Sequence, residues 1–412
     1  MTSYLMSSFL SLFSGAGGLD LGLQRAGWGC RYASDIDPIT VETLSDNLSK
    51  PPRLSRHLAP LIEVADVQDL EGCDLLNRLQ LKPGDVPLMA GGPPCQSWSS
   101  AGHQKGLDDP RGQLFRDFIR IADECGCRVI LFENVRGMLT ARGPEGDPGG
   151  ALRLIRETMW AHGYRSAVEL LNAADFGVPQ RRVRLYLIGF RDTPAPVFPA
   201  PTHTRPNAKE SLFASQLDSW VPMQSALLKL EDLRDDEFIV PSPKMSERLQ
   251  GLLPGQGIKS AGKRETTRPG GHWGYMQGGF VADPSLPART ITASAQQDWI
   301  RLDDGTFRRL CPRECARLQT FPEDWRFAGN RSAQYRQIGN AVAPAIACVL
   351  GQVITDMLES SRSANDAFDP AYLPAHLASH VRYTSREHER NGASRRAAPN
   401  RRRIRGAKTE GH

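Results

Sequence analysis

No stretch of this sequence approaches the roughly 20 consecutive apolar residues that a membrane-spanning helix needs, so a membrane protein is not expected. The opening segment Met1 to Phe13 is fairly apolar, but it has no basic leader and is broken by Ser3, Ser7, Ser8 and Ser11. It therefore reads poorly as an export signal. Without one, eight cysteines suggest free thiols in a reducing, cytoplasmic setting rather than a disulfide framework. A metal-ligand pattern is also lacking. Cys125 and Cys127, like Cys311 and Cys315, have no partner pair at ligand spacing with a nearby His, so no metal is expected. Internal repeats are absent too. What remains is a 412-residue chain, 40% hydrophobic, long enough for one large core and a second smaller one.

The net charge of +5 is unevenly placed. Residues Asn391 to His412 carry seven Lys or Arg against one Glu, about +6, which leaves the body near −1. Arg395, Arg396, Arg401, Arg402, Arg403, Arg405 and Lys408 fit a disordered basic arm with a nucleic-acid partner. A solvated tail that only aids solubility is the plain alternative.

From residue 9 to about 190, short apolar runs alternate with helical patterns, as in a parallel sheet wound with helices. The expected strands are Phe9–Phe13, Arg31–Ser34, Leu61–Ala65, Val86–Ala90, Val129–Phe132, Ala167–Leu171 and Val183–Gly189. Between two of them Leu114, Phe118, Ile121, Ala122 and Cys125 make an apolar helical stripe, which is core. Prolines 194, 196, 199, 201 and 206 then mark a boundary that neither a helix nor a central strand tolerates. Irregular, Gly-rich sequence runs to about residue 308. Helical patterns return at Pro312 to Gln319 and from Pro344 to about Leu358.

In such sheets ligands bind beyond the carboxyl ends of the strands. The first strand is followed by Ser14-Gly15-Ala16-Gly17-Gly18, a turn that lets backbone approach a cofactor, and the second by Asp35, placed to accept from ribose hydroxyls. Asp66 and Val67 follow the third strand, where a carboxylate suits an adenine amino group and an apolar side chain suits the ring. After the fourth comes Gly91-Gly92-Pro93-Pro94-Cys95-Gln96, a thiol set between flexible and rigid backbone, unlike the setting of a buried structural cysteine. The fifth ends in Glu133-Asn134-Val135, which brings a carboxyl group to the same rim. Gln180, Arg182 and Arg184, at a spacing of two where the chain enters an apolar strand, share one face with Arg181 and Val183 opposite, and the two arginines offer planar cationic donors to a base carbonyl or a phosphate.

In order and spacing this set resembles the DNA (cytosine-5-)-methyltransferases over about residues 9 to 355. Pro312 to Pro322 and Gln337-Ile338-Gly339-Asn340-Ala341-Val342 are similar to two further family segments. Ser14 and Asp35 depart mildly from the residues common in the family. The resemblance implies an α/β, Rossmann-like doubly wound sheet, the S-adenosylmethionine-dependent methyltransferase fold, with a smaller irregular target-recognition domain. It implies a catalytic domain over 1–190, recognition over 191–308, a returning segment over 309–358, and a linker with a basic, disordered tail over 359–412. Phe13, Gly15, Gly17, Asp35, Asp66, Val67 and Asn340 would bind S-adenosylmethionine. Cys95 would add to carbon 6 of a flipped-out cytosine, Glu133 would bond its ring nitrogen 3 and amine, and Arg184, helped by Arg182, would grip its carbonyl.

Double-stranded DNA is the implied partner of a monomeric enzyme, with a restriction endonuclease of the same specificity left open. Lys259, Lys263, Arg264, Arg268, His272, Trp273, Tyr275 and Gln277 are candidate DNA readers, and Pro287 to Thr292 another recognition element. Three other readings stay open on the sequence. They are an RNA cytosine-5 methyltransferase, a catalytically silent DNA-binding protein on this scaffold, and a dinucleotide oxidoreductase, which leaves the Pro-Cys loop unexplained.

Overall fold

Seven strands build one sheet in the computed structural model, which describes residues 7–49, 59–94, 110–191, 197–205, 217–260, 278–360 and 368–383. They are β1 (Ser8–Leu12), β2 (Gly29–Asp35), β3 (Leu61–Val64), β4 (Leu88–Gly91), β5 (Val129–Val135), β6 (Arg165–Asn172) and β7 (Val183–Phe190). The order is β3-β2-β1-β4-β5-β7-β6, parallel throughout except for β7, which runs against both β5 and β6. Every residue of β1 and β4 is buried, as central parallel strands covered on both faces require. The order reverses between β1 and β4, so the crevice for a ligand opens there, between the Gly-rich turn and the Pro-Cys loop.

The helices are set by their apolar stripes. On one face lie α3 (Gly72–Leu79), α4 (Leu114–Glu124) and α5 (Gly150–Ala161). There α4 buries Phe118, Ile121 and Ala122 of the expected stripe, with Phe115 and Ile119 beside them, and each large apolar side chain contributes about 1.5–3 kcal/mol. Cys125 and Cys127 belong to this same core. The other face carries α1 (Gly18–Arg25) and α2 (Pro38–Leu48), the latter capped by Asp37, whose carboxylate accepts from Ile39 N at 3.1 Å.

After β7 the chain forms smaller structure. It includes a two-stranded sheet, β8 (His203–Thr204) with β9 (Asp218–Ser219), a short helix α6 (Pro243–Gln250), and a four-stranded sheet of β10 (Gln256–Gly257), β11 (Phe280–Val281), β12 (Trp299–Arg301) and β13 (Phe307–Arg309). Leu249, Leu252, Val281, Trp299 and Phe307 form its own small core. The chain then returns through α7 (Pro312–Leu318), α8 (Arg331–Asn340) and α9 (Pro344–Glu359). Cys311 and Cys315 are buried here, beside a Glu314–Arg308 pair joined by two 2.8 Å bonds. Helix α9 lies on α1, and the approach is close because a Cβ on Gly22 would stand 2.3 Å from the Ala347 Cβ.

One expectation needs correction. The sequence assigns 359–412 to a linker and tail, but residues 368–383 pack on the first face of the sheet. Their second half is a helix, α10 (375–383), whose Leu377 is wholly buried in the main core. With polar residues between its few apolar ones, this segment shows no long stripe, and only the neighbouring α5 and β6 give those apolar residues a place to go.

Candidate active site

The Gly-rich turn leaves β1 through Phe13, whose φ of 54° is the left-handed backbone that L-residues seldom adopt. Gly15 and Gly17 continue in that region. Apart from Gly15 and its two chain neighbours, no atom of the described residues lies within 4 Å of where a Cβ on Gly15 would stand, so the turn borders open space at that point. At Gly18, by contrast, a Cβ would meet the Val342 carbonyl at 2.2 Å, so the returning segment seals the turn from its far side. Asp35 sits at the end of β2 and holds the turn: Oδ2 accepts from Gly15 N at 2.9 Å and Oδ1 from Asp37 N at 3.0 Å. Burial raises its pKa, while those amides pull it back. Each oxygen keeps a second lone pair for a ribose hydroxyl.

Asp66 is half-buried, and its Oδ1 accepts from Gln68 N at 3.0 Å. Val67 is 4% exposed and packed in the main core. That placement departs from a side chain lying open to a ring. Asn340 ends α8, exposed, one residue before the Ala341–Val342 pair that packs against Gly18.

Asp20, in the first turn of α1, was missed by sequence reasoning because an acid near a helix start is ordinary. It is fully buried, and burial pushes its carboxyl up to about 6, against a lowering by the Ser11 hydroxyl and with a smaller upward push from Asp35. The folded protein thus holds this proton more tightly than the unfolded chain. The resulting stabilisation is present below about pH 4 and is lost as pH rises through about 6, an effect of about 3 kcal/mol. Asp20→Asn should therefore gain stability relative to the parent as pH goes from 5 to 7.5 in denaturant titrations. An unchanged difference between the two proteins would mean that the proton is not on Asp20.

The candidate catalytic rim is built where β4 and β5 end side by side, with Gly91 paired to Phe132. Next along, a Cβ on Gly92 would stand 3.0 Å from Glu133 Oε2, so backbone runs directly against this carboxylate. Asn134 Nδ2 donates to the Pro93 carbonyl at 3.1 Å and ties the two strand ends together. Cys95 lies outside the described residues, two positions after Pro93. Glu133 is 9% exposed and faces Arg184, whose Nε lies 3.3 Å from Oε1. Burial raises the Glu133 pKa, and Arg184, then Arg182, lower it.

Strand β7 begins at Val183, and just ahead of it Gln180 and Arg182 both bond Ile291, on one side as their spacing of two predicts. Arg182 is 2% exposed and donates from Nη1 to the Ile291 carbonyl at 3.0 Å, and from Nη2 to those of Gly339 and Ala341 at 2.8 and 2.9 Å. Burial brings it down to about 9, with Arg184 adding to the effect. Its hydrogen bonds fasten two returning segments behind the rim, so Nη1 and Nη2 are already engaged by backbone carbonyls.

Gln180 does the same. It accepts from Ile291 N at 2.8 Å and donates to Gln319 Oε1 at 3.0 Å.

Pro287 to Thr292 is corrected from a DNA reader to a strap. Ala288 exchanges backbone bonds with Pro179 and Arg181, Thr290 Oγ1 donates to the Arg181 carbonyl at 2.7 Å, and Arg289 lies over the Phe280 ring. The strap presses on α8 so closely that a Cβ on Gly339 would fall 2.1 Å from the Thr292 carbonyl carbon. Of the candidate readers, Lys259 is exposed, and the others lie outside the described residues. Trp325, whose Nε1 donates to the Ala16 carbonyl at 3.2 Å, also closes the Gly-rich turn, and nothing in its local sequence announced this.

A sheet of this order, with a Gly-rich turn and a carboxylate rim at its switch point, defines a Rossmann-like methyltransferase fold. The chain has the same fold as the Entamoeba histolytica methyltransferase EhMeth, with a TM-score of 0.58 at 15% identity over 86% of this chain and 99% of that one. The family model for C-5 cytosine-specific DNA methylase matches residues 7–356, and the chain belongs to that family of DNA cytosine-5-methyltransferases. It is 32% identical to the type II methyltransferase M.FnuDI of Fusobacterium nucleatum, covering 85% of this chain and 94% of the relative. It is 31% identical to M1.HphI of Haemophilus parahaemolyticus, covering 86% and 88%.

Proposed function

We propose that the protein methylates carbon 5 of cytosine at one specific duplex sequence, through a covalent Cys95 adduct at carbon 6 of a flipped-out base, as the modification enzyme of a type II restriction–modification pair. The observation that carries this reading is the rim itself: Gly92 backbone against the buried Glu133 carboxyl, with Asn134 holding Pro93, so that the loop bearing Cys95 starts beside the acid.

Carbon 5 is a poor nucleophile until electrons enter the ring, and thiolate addition at carbon 6 supplies them. Glu133, with its pKa raised, can hold a proton toward ring nitrogen 3 and accept from the exocyclic amine as charge develops. Arg184 keeps Glu133 in place and offers its remaining N–H groups to the base carbonyl. When bound, S-adenosylmethionine supplies an electrophilic methyl group on a sulfonium sulfur. The residues present fit that cofactor: the open side of Gly15 gives backbone room, Asp35 has lone pairs for the ribose, and Asp66 has a carboxylate for adenine, with Phe13 and Asn340 at the edges. A base cannot react while stacked in a duplex, so it has to be extruded into this rim.

Bisulfite sequencing of DNA from cells expressing the protein tests the reading. Protected cytosines are expected at a single short sequence. Unprotected DNA alongside protected RNA would replace it with the RNA methyltransferase alternative.

A further inference from the structure

Strand β6 ends the order of the large sheet, and no described strand pairs with its outer side. The ladder fixes which backbone groups stand on that side. Ala173 N, one residue past β6, donates to the Arg182 carbonyl at 2.9 Å, and the register from Arg165 to Asn172 runs against β7 without a break. Residues of an antiparallel strand alternate between bonding the partner and facing away from it. The odd-numbered residues of β6 therefore bond β7, and Ser166, Val168, Leu170 and Asn172 turn their backbone groups outward. Side chains meet two of these groups: Arg156 Nη2 donates to the Ser166 carbonyl at 2.9 Å, and Leu170 N donates to Glu169 Oε1 at 2.9 Å. Between them, the outward N–H and carbonyl of Val168 have no hydrogen-bond partner among the described residues, although Val168 is only 3% exposed. Buried backbone groups are nearly always paired, so this stretch is a template for another backbone.

It is also walled. A cavity of about 760 Å³, within the range of ligand sites, runs past every residue from Ser166 to Asn172. Phe368, Tyr372 and His376 stand on one side of it, and Phe176, Val197 and Phe198 on the other. The second wall continues into Pro199 and Pro201, which have no N–H and cannot close the edge as a strand of their own. Three carboxylates, Glu169, Asp175 and Asp369, line the slot against one guanidinium, Arg156. That guanidinium is 3% exposed and already donates to the Ser166 hydroxyl and to the carbonyls of Ser166 and Tyr372. His376 is bonded to Glu169 at 2.8 Å.

We propose that this slot receives an extended, basic segment of a partner protein, which joins β6 as an eighth strand, bonding Val168 through its backbone and meeting Glu169, Asp175 and Asp369 with Lys or Arg side chains. The stretch from Ser166 to Asn172 is roughly 20 Å long, room for about six extended residues, with apolar side chains against the aromatic walls. The chain's own segment 384–412 is basic but suits such walls poorly, since Ile404 is its one large apolar residue. Because β7 separates β6 from β5, an added strand lies three strand spacings, about 14 Å, from the strand that carries Glu133. The candidate active site stays open, and the inference does not depend on the methylation reading.

The test uses the full-length protein and a fluorescein-labelled peptide of about six residues in which Val and Lys alternate. Fluorescence anisotropy at about 150 mM salt should show saturable binding. A peptide with Glu in place of each Lys should bind at least tenfold more weakly. The same loss is expected for the Val and Lys peptide N-methylated at every amide, which keeps charge and side chains but removes the backbone donors. On the protein, hydrogen exchange at the Val168 amide should slow at least tenfold when the peptide is added. A double variant, Glu169→Gln with Asp369→Asn, should bind at least fivefold more weakly while exchange in the rest of the sheet stays parental. Equal binding of the N-methylated peptide, or unchanged exchange at Val168, would mean attraction by charge without strand pairing. Equal binding of the Glu peptide would overturn the charge assignment, and binding that appears only after removal of residues 384–412 would give the slot to the chain's own segment. Absence of saturable binding would make β6 an edge closed to partners and overturn the proposal.

Discussion

Incubated with S-adenosylmethionine and target DNA carrying 5-fluorocytosine, the protein is expected to become joined to the DNA in a complex that survives denaturing electrophoresis. Once Cys95 has added at carbon 6 and the methyl group sits on carbon 5, release requires loss of a proton from carbon 5, and fluorine cannot leave as a cation. The enzyme then traps itself. Cys95→Ser should form no adduct and should show no methyl transfer above background, because the hydroxyl is far less ionised than the thiol and adds poorly. The rival thiols are poor candidates: burial pushes Cys125 up to about 12 and also raises Cys127 well above the usual thiol value, so neither is a ready thiolate. An adduct that persists in Cys95→Ser, or whose peptide mass maps to Cys73, Cys125 or Cys127, would assign the nucleophile elsewhere.

Glu133→Gln should lower the single-turnover rate about 10²–10³-fold while changing DNA affinity much less. The amide keeps the size of the side chain but cannot hold or release the proton at ring nitrogen 3, and it removes the charge that Arg184 faces at 3.3 Å. The loss should therefore appear in the chemical step. A variant with a parental rate constant and a weakened dissociation constant would reduce Glu133 to a binding residue. Arg182→Lys provides the contrast. With three carbonyls held by one guanidinium, the compact ammonium cannot reproduce the bonds, so lowered stability should accompany any loss of rate.

Much of the site was legible because sheet topology puts strand ends on one edge, and the sequence marks those ends. Gly15, Asp35, Gly92 and Glu133 each follow an apolar run, and each lies on the rim. The contacts of Arg182 and of the Pro287–Thr292 strap were hidden for a common reason. Both carry residue types that suit DNA, and a buried arginine that satisfies backbone carbonyls has the same letters as one aimed at a base. The partners of Arg182 lie 109, 157 and 159 residues further along the chain, beyond any local pattern. Asp20 escaped for a related reason, since its raised pKa comes from burial that only the folded chain supplies, beside Ser11 and Asp35 of the sheet.

By itself, the sequence determined the seven strands, the stripe of α4, the Pro344 start of α9 and the ordered set of rim residues, because each depends on spacing within one element and on backbone chemistry at its end. Only the tertiary structure decided that Gly18 and Gly339 must be glycine, that Arg182 fastens the returning segments, and that residues 368–383 pack along α5 and β6. Those outcomes depend on how close two distant segments come. That distance is set by the packing of the whole core, which no local run of residues records.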